Sequence, residues 1–372
     1  MKICVYAICK NESKFVERWL DSMQEADYIV VLDTGSTDDT YRKLKADPRV
    51  TKVEKKAIKP WRFDVARNES MKLIPEDTDL CVCTDLDEVF DEGWADVVRE
   101  AWKPGTYRMK YRYAWSHNAV GEPTDVFDYD KMHKYGGYHW KYPVHEVLQP
   151  DDPDIVQPTI YLHDSVFLHH YPDKTKSRSF YMDLLKLAVE ENPEDCHIQF
   201  LYAREYLLAC DYDKAIEEYR KCLSMSLIDE PKYDKVLKGA LLHTALTYEK
   251  IEEFSTAAWY CDELIKEDPT YLEPYIMKAE MYNFMGMFTL AYGCLEAGAK
   301  FAKRHFDWVE LAPTWNGWFS DVRSVTREHL NDVQGALEDV NAALSHDPDN
   351  AHLLKNKTVI LERLLKEKQE VK

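Results

Sequence analysis

The chain has 372 residues, of which 48 are basic and 67 are acidic, and its formal net charge is −19. A chain of this length is too long to fold around one small hydrophobic core, so two domains are expected. The negative charge argues against broad contact with nucleic acid or with an anionic membrane surface. Nine cysteines without paired spacing are typical of reduced thiols and therefore of a cytoplasmic protein, and no apolar run reaches the length of a membrane span.

The first part of the chain alternates short apolar runs with helical periods. Strands are predicted at residues 3–8, 28–32, 50–53 and 80–84, and helices at 13–23 and 63–73. A further helix opens at residues 38–40, where Asp-Asp-Thr suits a helix N-terminus. This order predicts a parallel sheet whose ligands bind at the carboxyl ends of its strands.

Two carboxylates follow the strand predicted at residues 80–84. Residues i and i+2 of a strand point the same way, so Asp85 and Asp87 are expected to face one cleft. Close carboxylates repel each other unless a cation lies between them, and a hard divalent ion with oxygen ligands is the usual solution. Cys81 and Cys83, on the strand itself, are interpreted as core residues rather than as a metal pair.

Between about residues 106 and 170 the pattern changes. Aromatic, β-branched and polar residues alternate at 107–115, 138–148 and 159–170, which predicts antiparallel strands and loops. The last of these stretches ends in two consecutive histidines.

From residue 179 onward the sequence is helical and repetitive. Small and aromatic residues recur at fixed spacing, and Ala245 and Ala279 are 34 residues apart, which is the period of the tetratricopeptide repeat. Four such units are predicted, the last of them more divergent, followed by a capping helix at residues 350–366. Small residues at these positions let paired helices approach closely. The predicted domains are therefore 1–178 and 179–372.

Four short motifs occur in order along the first domain. They are Ile-Cys-Lys-Asn-Glu at 8–12, Val-Leu-Asp-Thr-Gly-Ser-Thr-Asp-Asp-Thr at 31–40, Arg-Asn-Glu at 67–69 and Asp-Leu-Asp at 85–87. In residues and in order, they resemble the family-2 glycosyltransferases over roughly residues 1–170. The resemblance implies a GT-A fold, which is an α/β Rossmann-like domain with a mixed sheet. It also implies inverting transfer from a nucleotide-activated sugar, usually a UDP-sugar, with Mn²⁺ or Mg²⁺.

The resemblance also implies roles for individual residues. The nucleotide-binding residues would be Cys9, Asn11, Asp33, Arg67 and Asp85, with Asn68 beside them. Asp85 would lie near the ribose, Asp87 would ligate the metal, and Asp85 is a second candidate ligand. A helix-surface pair of Asp64 with Arg67 is the competing interpretation of the 63–68 segment.

Two further groups of residues are candidates for the donor site. One of His169 and His170 can be a third metal ligand, and His170 is favoured because it is nearer the following loop. Imidazole beside carboxylates fits Mn²⁺ better than Mg²⁺ or Ca²⁺. Lys176 and Arg178 precede a predicted helix and suit a diphosphate, although a solvated charge cluster is the competing interpretation.

An inverting transfer also needs a base near the acceptor hydroxyl or thiol. The segment at residues 136–146 occupies the place in the chain where members of the family carry acceptor-side residues. Glu146 is the predicted base, with His145 as a positioning residue or as the alternative base.

The leading hypothesis is a glycosyltransferase whose repeats hold an acceptor peptide, protein or saccharide, or form a homodimer. Trp308, Trp315 and Trp318 are candidate contact residues, unless they serve buried packing instead. A nucleotidyltransferase would carry a Gly-rich or basic loop after the first strand, which residues 10–12 do not supply. Two further hypotheses are a repeat scaffold with a degenerate enzyme domain and a phage-type DNA-base glycosyltransferase, and the net charge argues against the second. Dinucleotide oxidoreduction is excluded because no Gly-x-Gly-x-x-Gly motif follows a predicted strand.

Overall fold

The computed structural model describes residues 1–118, 120–173, 175, 180–226 and 234–370. Its internal contacts divide the chain into two compact units, Met1–Ser116 with Val126–Glu191 and His117–Asp125 with Asn192–Lys372. The division after residue 191, instead of after 178, has a local cause. The rings of Phe180 and Tyr181 pack on Phe63 at centroid distances of 6.4 and 6.0 Å, which joins this segment to the first unit.

The first unit is built on one mixed sheet of eight strands. Its strands, together with a separate two-stranded sheet, are β1 (Ile3–Cys9), β2 (Tyr28–Asp33), β3 (Lys52–Lys55), β4 (Leu80–Thr84), β5 (Glu88–Phe90), β6 (Arg108–His117), β7 (Pro123–Lys134), β8 (Tyr138–Lys141), β9 (Val147–Pro150) and β10 (Thr159–His170). The strand order of the large sheet is β3-β2-β1-β4-β7-β6-β10-β5, and β8 pairs with β9. The helices of the same part of the chain are α1 (Val16–Met23), α2 (Thr40–Ala46), α3 (Phe63–Met71), α4 (Trp94–Ala101) and α5 (Tyr181–Glu191).

Strand β1 is buried on both faces, as its uninterrupted apolar sequence requires. Its odd-numbered residues from Ile3 to Cys9 enter one core together with α1 and α4, and its even-numbered residues enter a second core with α3. It pairs in parallel with β2 on one side and with β4 on the other. The carboxyl ends of these three strands therefore lie along one edge of the sheet, as predicted.

The remaining strands differ in part from expectation. Strand β7 is antiparallel to β4, but β6 and β10, predicted as part of an antiparallel arrangement, pair in parallel with two register shifts. Strands β5 and β7 and helix α4 were not predicted. Polar residues interrupt the apolar pattern of β7, so its burial depends on neighbours that are distant in sequence.

The second unit is a helical repeat. Its helices are α6 (Cys196–Leu208), α7 (Tyr212–Ser226), α8 (Asp234–Lys250), α9 (Phe254–Glu267), α10 (Glu273–Phe284), α11 (Phe288–Phe301), α12 (Trp318–His329), α13 (Val333–His346) and α14 (Ala351–Glu370). Consecutive helices pack as four pairs, and α14 packs on α13, where the capping helix was predicted. Helices α9 and α11 begin 34 residues apart, and Ala245 and Ala279 are fully buried.

The tryptophans proposed as contact residues take part in packing. Trp315 donates its indole N–H to Glu310 Oε1 at 3.0 Å, and Trp318 donates to Glu280 Oε1 at 2.9 Å. Trp308 packs against the core of the second unit. These contacts support the interpretation as packing residues. Among the described residues, no helix is both long and apolar enough to cross a bilayer.

Candidate functional site

The loops after β1 and β2 are held together by their own polar side chains. Asp33 is fully buried, and its Oδ1 accepts the backbone N–H groups of Gly35 at 2.8 Å and Ser36 at 2.7 Å. Gly35 has a φ of +120°, which favours glycine. Asp33 therefore shapes the turn after β2, and its contact with a nucleotide stays a prediction.

Asn11 and Cys9 lie at the end of β1, opposite that turn. Asn11 Oδ1 accepts the N–H of Thr37 at 2.7 Å, and the Asn11 backbone N–H donates to Ser36 Oγ at 2.9 Å. Cys9 Sγ lies 3.9 Å from Asp33 Oδ2. The first two predicted motifs thus meet in space and form one edge of the candidate site.

Asp85 and Asp87 lie in a turn between β4 and β5, not on the strand itself. The Asp85 N–H donates to Glu88 Oε2 at 2.8 Å, and the Glu88 N–H donates to Asp85 O at 3.1 Å. The alternation of a strand therefore does not orient these two carboxylates, which have different partners, and their facing one cleft stays a prediction.

Asp85 belongs to a first group of side chains, with Arg67 on α3 at its centre. Arg67 Nη2 donates to Asp85 Oδ2 at 3.0 Å, and its Nε donates to Glu146 Oε1. Its Nη1 contacts Cys83 Sγ at 3.2 Å, and its guanidinium lies 5.3 Å from the centroid of the Trp140 ring. One buried guanidinium therefore joins the residue predicted beside the ribose to the residue predicted as the base. The surface pair of Arg67 with Asp64 does not form, since Asp64 pairs with Arg62 at 2.8 Å.

Lys131, on β7, completes this group and was missed by the sequence analysis. Its Nζ lies 3.8 Å from Asp85 Oδ2, and 4.7 Å from the ring centroid of Tyr129. Burial alone would raise the pKa of Asp85, but the charges of Arg67 and Lys131 hold it below its usual range. The sequence of β7 mixes acidic, aromatic and apolar residues, so Lys131 becomes informative only once that strand is known to pair with β4.

Asp87 belongs to a second group with His170. His170 Nε2 lies 3.5 Å from Asp87 Oδ2, and Nδ1 lies 3.2 Å from the carbonyl oxygen of Trp115. The imidazole also stacks on the Trp115 ring at a centroid distance of 4.4 Å. Burial lowers the pKa of His170, and the hydrogen bond and charge of Asp87 raise it, with a net increase. His169 instead contacts Asp91 at 3.2 Å, so His170 is the histidine beside Asp87.

This second group has the chemistry of a partial metal site. Across residues 1–118, 120–173, 175, 180–226 and 234–370, no three His, Cys, Asp or Glu side chains are grouped to hold a metal ion. Asp87 and His170 would provide one oxygen and one nitrogen ligand, a donor pair that fits Mn²⁺ if further ligands come from a bound diphosphate. Asp85 Oδ2 already contacts two cations, which favours its predicted place beside the ribose over metal ligation.

The predicted acceptor-side residues lie close to the first group. The carboxylate of Glu146 pairs with Arg67, and His145 has a φ of +50° with its ring edge-on to Tyr181 at 5.9 Å. The side-chain amide of Asn68 exchanges two 2.8 Å hydrogen bonds with the Trp140 backbone and so holds β8, and its contact with a nucleotide or sugar stays a prediction. Lys176 and Arg178 lie outside the described residues.

Comparison with known proteins does not establish a family. No protein-family model and no curated protein sequence matches the chain. Similar solved structures include YrrB, a TPR protein with an unusual peptide-binding site, with 15% identity, a TM-score of 0.37, and coverage of 49% of this chain and 84% of that one. A tetratricopeptide repeat protein from Parabacteroides merdae has 16% identity and a TM-score of 0.37, covering 48% and 63%. TTC0263 of Thermus thermophilus has 17% identity and a TM-score of 0.34, covering 48% and 88%. These TM-scores are too low to carry an argument about fold or function.

Proposed function

We propose that the first unit is a family-2 glycosyltransferase domain of GT-A type, which transfers a sugar from a nucleotide-sugar, usually a UDP-sugar, to an acceptor. The observation that carries this proposal is the turn at residues 85–87. It presents one carboxylate to two buried cations and the other to a histidine, at the carboxyl end of a parallel strand. Ligands of parallel α/β sheets bind at that edge.

In this proposal the nucleotide-sugar lies across the turn. Asp85 accepts hydrogen bonds from the ribose hydroxyl groups, and Arg67 keeps that carboxylate ionised and oriented. Asp87 and His170 would hold Mn²⁺ or Mg²⁺, which supplies positive charge to the departing diphosphate.

Glu146 is the proposed base, with His145 as the alternative. The acceptor hydroxyl or thiol forms a bond to the anomeric carbon while the bond from that carbon to the nucleoside diphosphate breaks. The acceptor proton passes to the Glu146 carboxylate, of which one oxygen is held by Arg67. This ion pair orients the carboxylate and leaves its second oxygen for the acceptor proton.

We further propose that the helical repeat unit selects the acceptor, as a surface for a peptide or protein. Solenoid repeats provide extended surfaces for such ligands. The nine cysteines, all within the described residues, are not joined in disulfides, which is compatible with the proposed cytoplasmic location. The second candidate function is a repeat scaffold with an inactive first unit, and the absence of three grouped metal ligands among the described residues favours that candidate.

The test is a thermal-shift and hydrolysis screen of UDP-, GDP- and TDP-sugars with and without Mn²⁺. A ligand that binds only the native state raises its stability, so a Mn²⁺-dependent shift with one nucleotide is expected. Asp87→Asn is expected to abolish that shift. Asp91→Asn is the matched control, because it removes the same charge beside the other histidine of the pair.

Two outcomes would overturn the proposal. A wild-type protein that responds to no nucleotide-sugar, with or without metal, would favour the scaffold function. An equal loss in Asp87→Asn and Asp91→Asn would show that the effect follows general charge and not ligation at Asp87.

A further inference from the structure

Two cationic side chains, Arg67 and Lys131, contact Asp85 and are more deeply buried than its carboxylate. The side chains of Arg67 and Lys131 retain 4% and 8% of their exposed surface, whereas that of Asp85 retains 33%. Both cations contact the same oxygen, Oδ2, at 3.0 and 3.8 Å. The negative charge of Asp85 is therefore balanced by two buried cations, while part of its side chain remains accessible to solvent.

Lys131 is the less expected of the two cations. Burying an ammonium group costs free energy unless a specific interaction compensates it. Its ammonium group lies 3.8 Å from Asp85 Oδ2, 4.7 Å from the ring centroid of Tyr129 and 5.9 Å from that of Trp140, and it also interacts electrostatically with the buried Glu88. The Trp140 ring also faces Arg67 at 5.3 Å. The two cations thus share one aromatic wall and one carboxylate oxygen, which leaves Asp85 little freedom to rotate.

We infer that Lys131 is a positioning residue that, together with Arg67, presents Asp85 to the two adjacent hydroxyl groups of a ribose. This inference rests on the proposed function. An ionised carboxylate accepts hydrogen bonds only, so its ligand must donate, and a vicinal diol donates two such bonds in the plane of the carboxylate. Lys131 itself does not touch the ligand.

The experiment compares nucleotide affinity by calorimetry in wild type, Lys131→Met and Lys131→Arg, with UDP and 2′,3′-dideoxy-UDP in Mn²⁺. Wild type is expected to bind UDP more tightly than the dideoxy analogue. In Lys131→Met, UDP binding is expected to weaken about tenfold, equivalent to about 1.4 kcal/mol, while binding of the analogue changes little. Lys131→Arg is expected to restore part of the preference. Lys134→Met, on the same strand but over Tyr107 at 3.7 Å, is the control and is expected to bind as wild type.

The outcomes separate the inference from the proposed function. Failure of wild type to bind any nucleotide overturns both. Wild-type binding with an unchanged UDP preference in Lys131→Met overturns the inference alone. An equal loss for UDP and the analogue also overturns it, because Lys131 would then act on the diphosphate through its charge. Melting curves of each variant show whether a loss of affinity reflects misfolding.

Discussion

Glu273 offers a test of the burial seen in the helical repeat unit. This residue opens α10 and is fully buried. Its Oε1 accepts the N–H of Leu311 at 3.0 Å and the hydroxyl of Thr314 at 2.9 Å, whereas Oε2 has no hydrogen-bond partner among the described residues. Burial raises the pKa of Glu273 from 4.5 to about 7. The carboxyl group is therefore protonated in the folded protein over a range where it ionises in the unfolded chain.

The raised pKa has a definite sign for stability. The stability that Glu273 contributes is fully present below pH 4.5 and is lost as the pH rises to about 7. Each pKa unit corresponds to about 1.4 kcal/mol, so the loss amounts to about 3 kcal/mol above neutral pH. Glu273→Gln keeps the acceptor oxygen and cannot ionise, at a cost of about 1 kcal/mol for a buried N–H without a partner.

Glu273→Gln is therefore expected to match wild type near about pH 5.5 and to exceed it by about 2 kcal/mol near about pH 8.5. For a unit of this size the gain corresponds to a rise of about 4–8 °C in Tm. The assay is thermal unfolding followed by circular dichroism at helical wavelengths, at both pH values. Glu267→Gln, at an exposed position of α9, is the control. The difference in Tm between this variant and wild type should be the same at both pH values. The same Tm change for Glu273→Gln at both pH values would refute the reasoning.

Three further predictions concern packing and charge. Arg67→Met leaves Asp85 and Glu146 without their shared cation and is expected to cost about 3–5 kcal/mol in chemical denaturation; a loss below about 1 kcal/mol would contradict the buried pairing. Burial lowers the pKa of His133 from 6.5 to about 3, so the histidine is neutral in the folded protein at neutral pH. The free energy of unfolding is therefore expected to fall as the pH drops below 6.5, by up to about 1.4 kcal/mol per pH unit. A pH profile of stability in His133→Gln that runs parallel to that of wild type would argue against this. Gly298→Ala would place a Cβ 2.9 Å from side-chain atoms of the neighbouring helix α10 and its N-cap and is expected to cost about 1–3 kcal/mol of unfolding free energy, whereas an unchanged Tm would show that the helices can separate there.

Local sequence patterns were sufficient to predict secondary structure and burial where these depend on the segment itself or on its neighbours in sequence. Residues 80–84 form β4 as predicted because an apolar run of that length, followed by carboxylates, suits a strand buried on both faces. The four helix pairs and the last helix were predicted from the spacing of small and aromatic residues, which is set by contacts between neighbouring helices. Cys81 and Cys83 are buried core residues, as predicted.

Local patterns failed where pairing depends on distant segments. The sequence alternation at residues 159–170 is the same for parallel and antiparallel strands, so it could not reveal that β10 runs parallel to β6. The strand ends at Thr84, as predicted, but nothing local indicated that residues 85–87 form a turn in which strand alternation no longer applies. Arg67 and Glu146 were both selected from motifs, but only the fold shows that they form a pair.

By itself the sequence determined the two-part organisation of this protein, the parallel edge at which its polar motifs gather, and the helical repeats, because each follows from hydrophobic period and residue size. The tertiary structure decided which histidine faces Asp87, since alternation places consecutive strand residues on opposite sides without saying which side meets the turn. It also decided that Lys131 stands behind Asp85. Lys131 is held by groups from distant segments, namely Asp85 in the turn after β4 and the Trp140 ring on β8, and these groups come together only after the chain has folded.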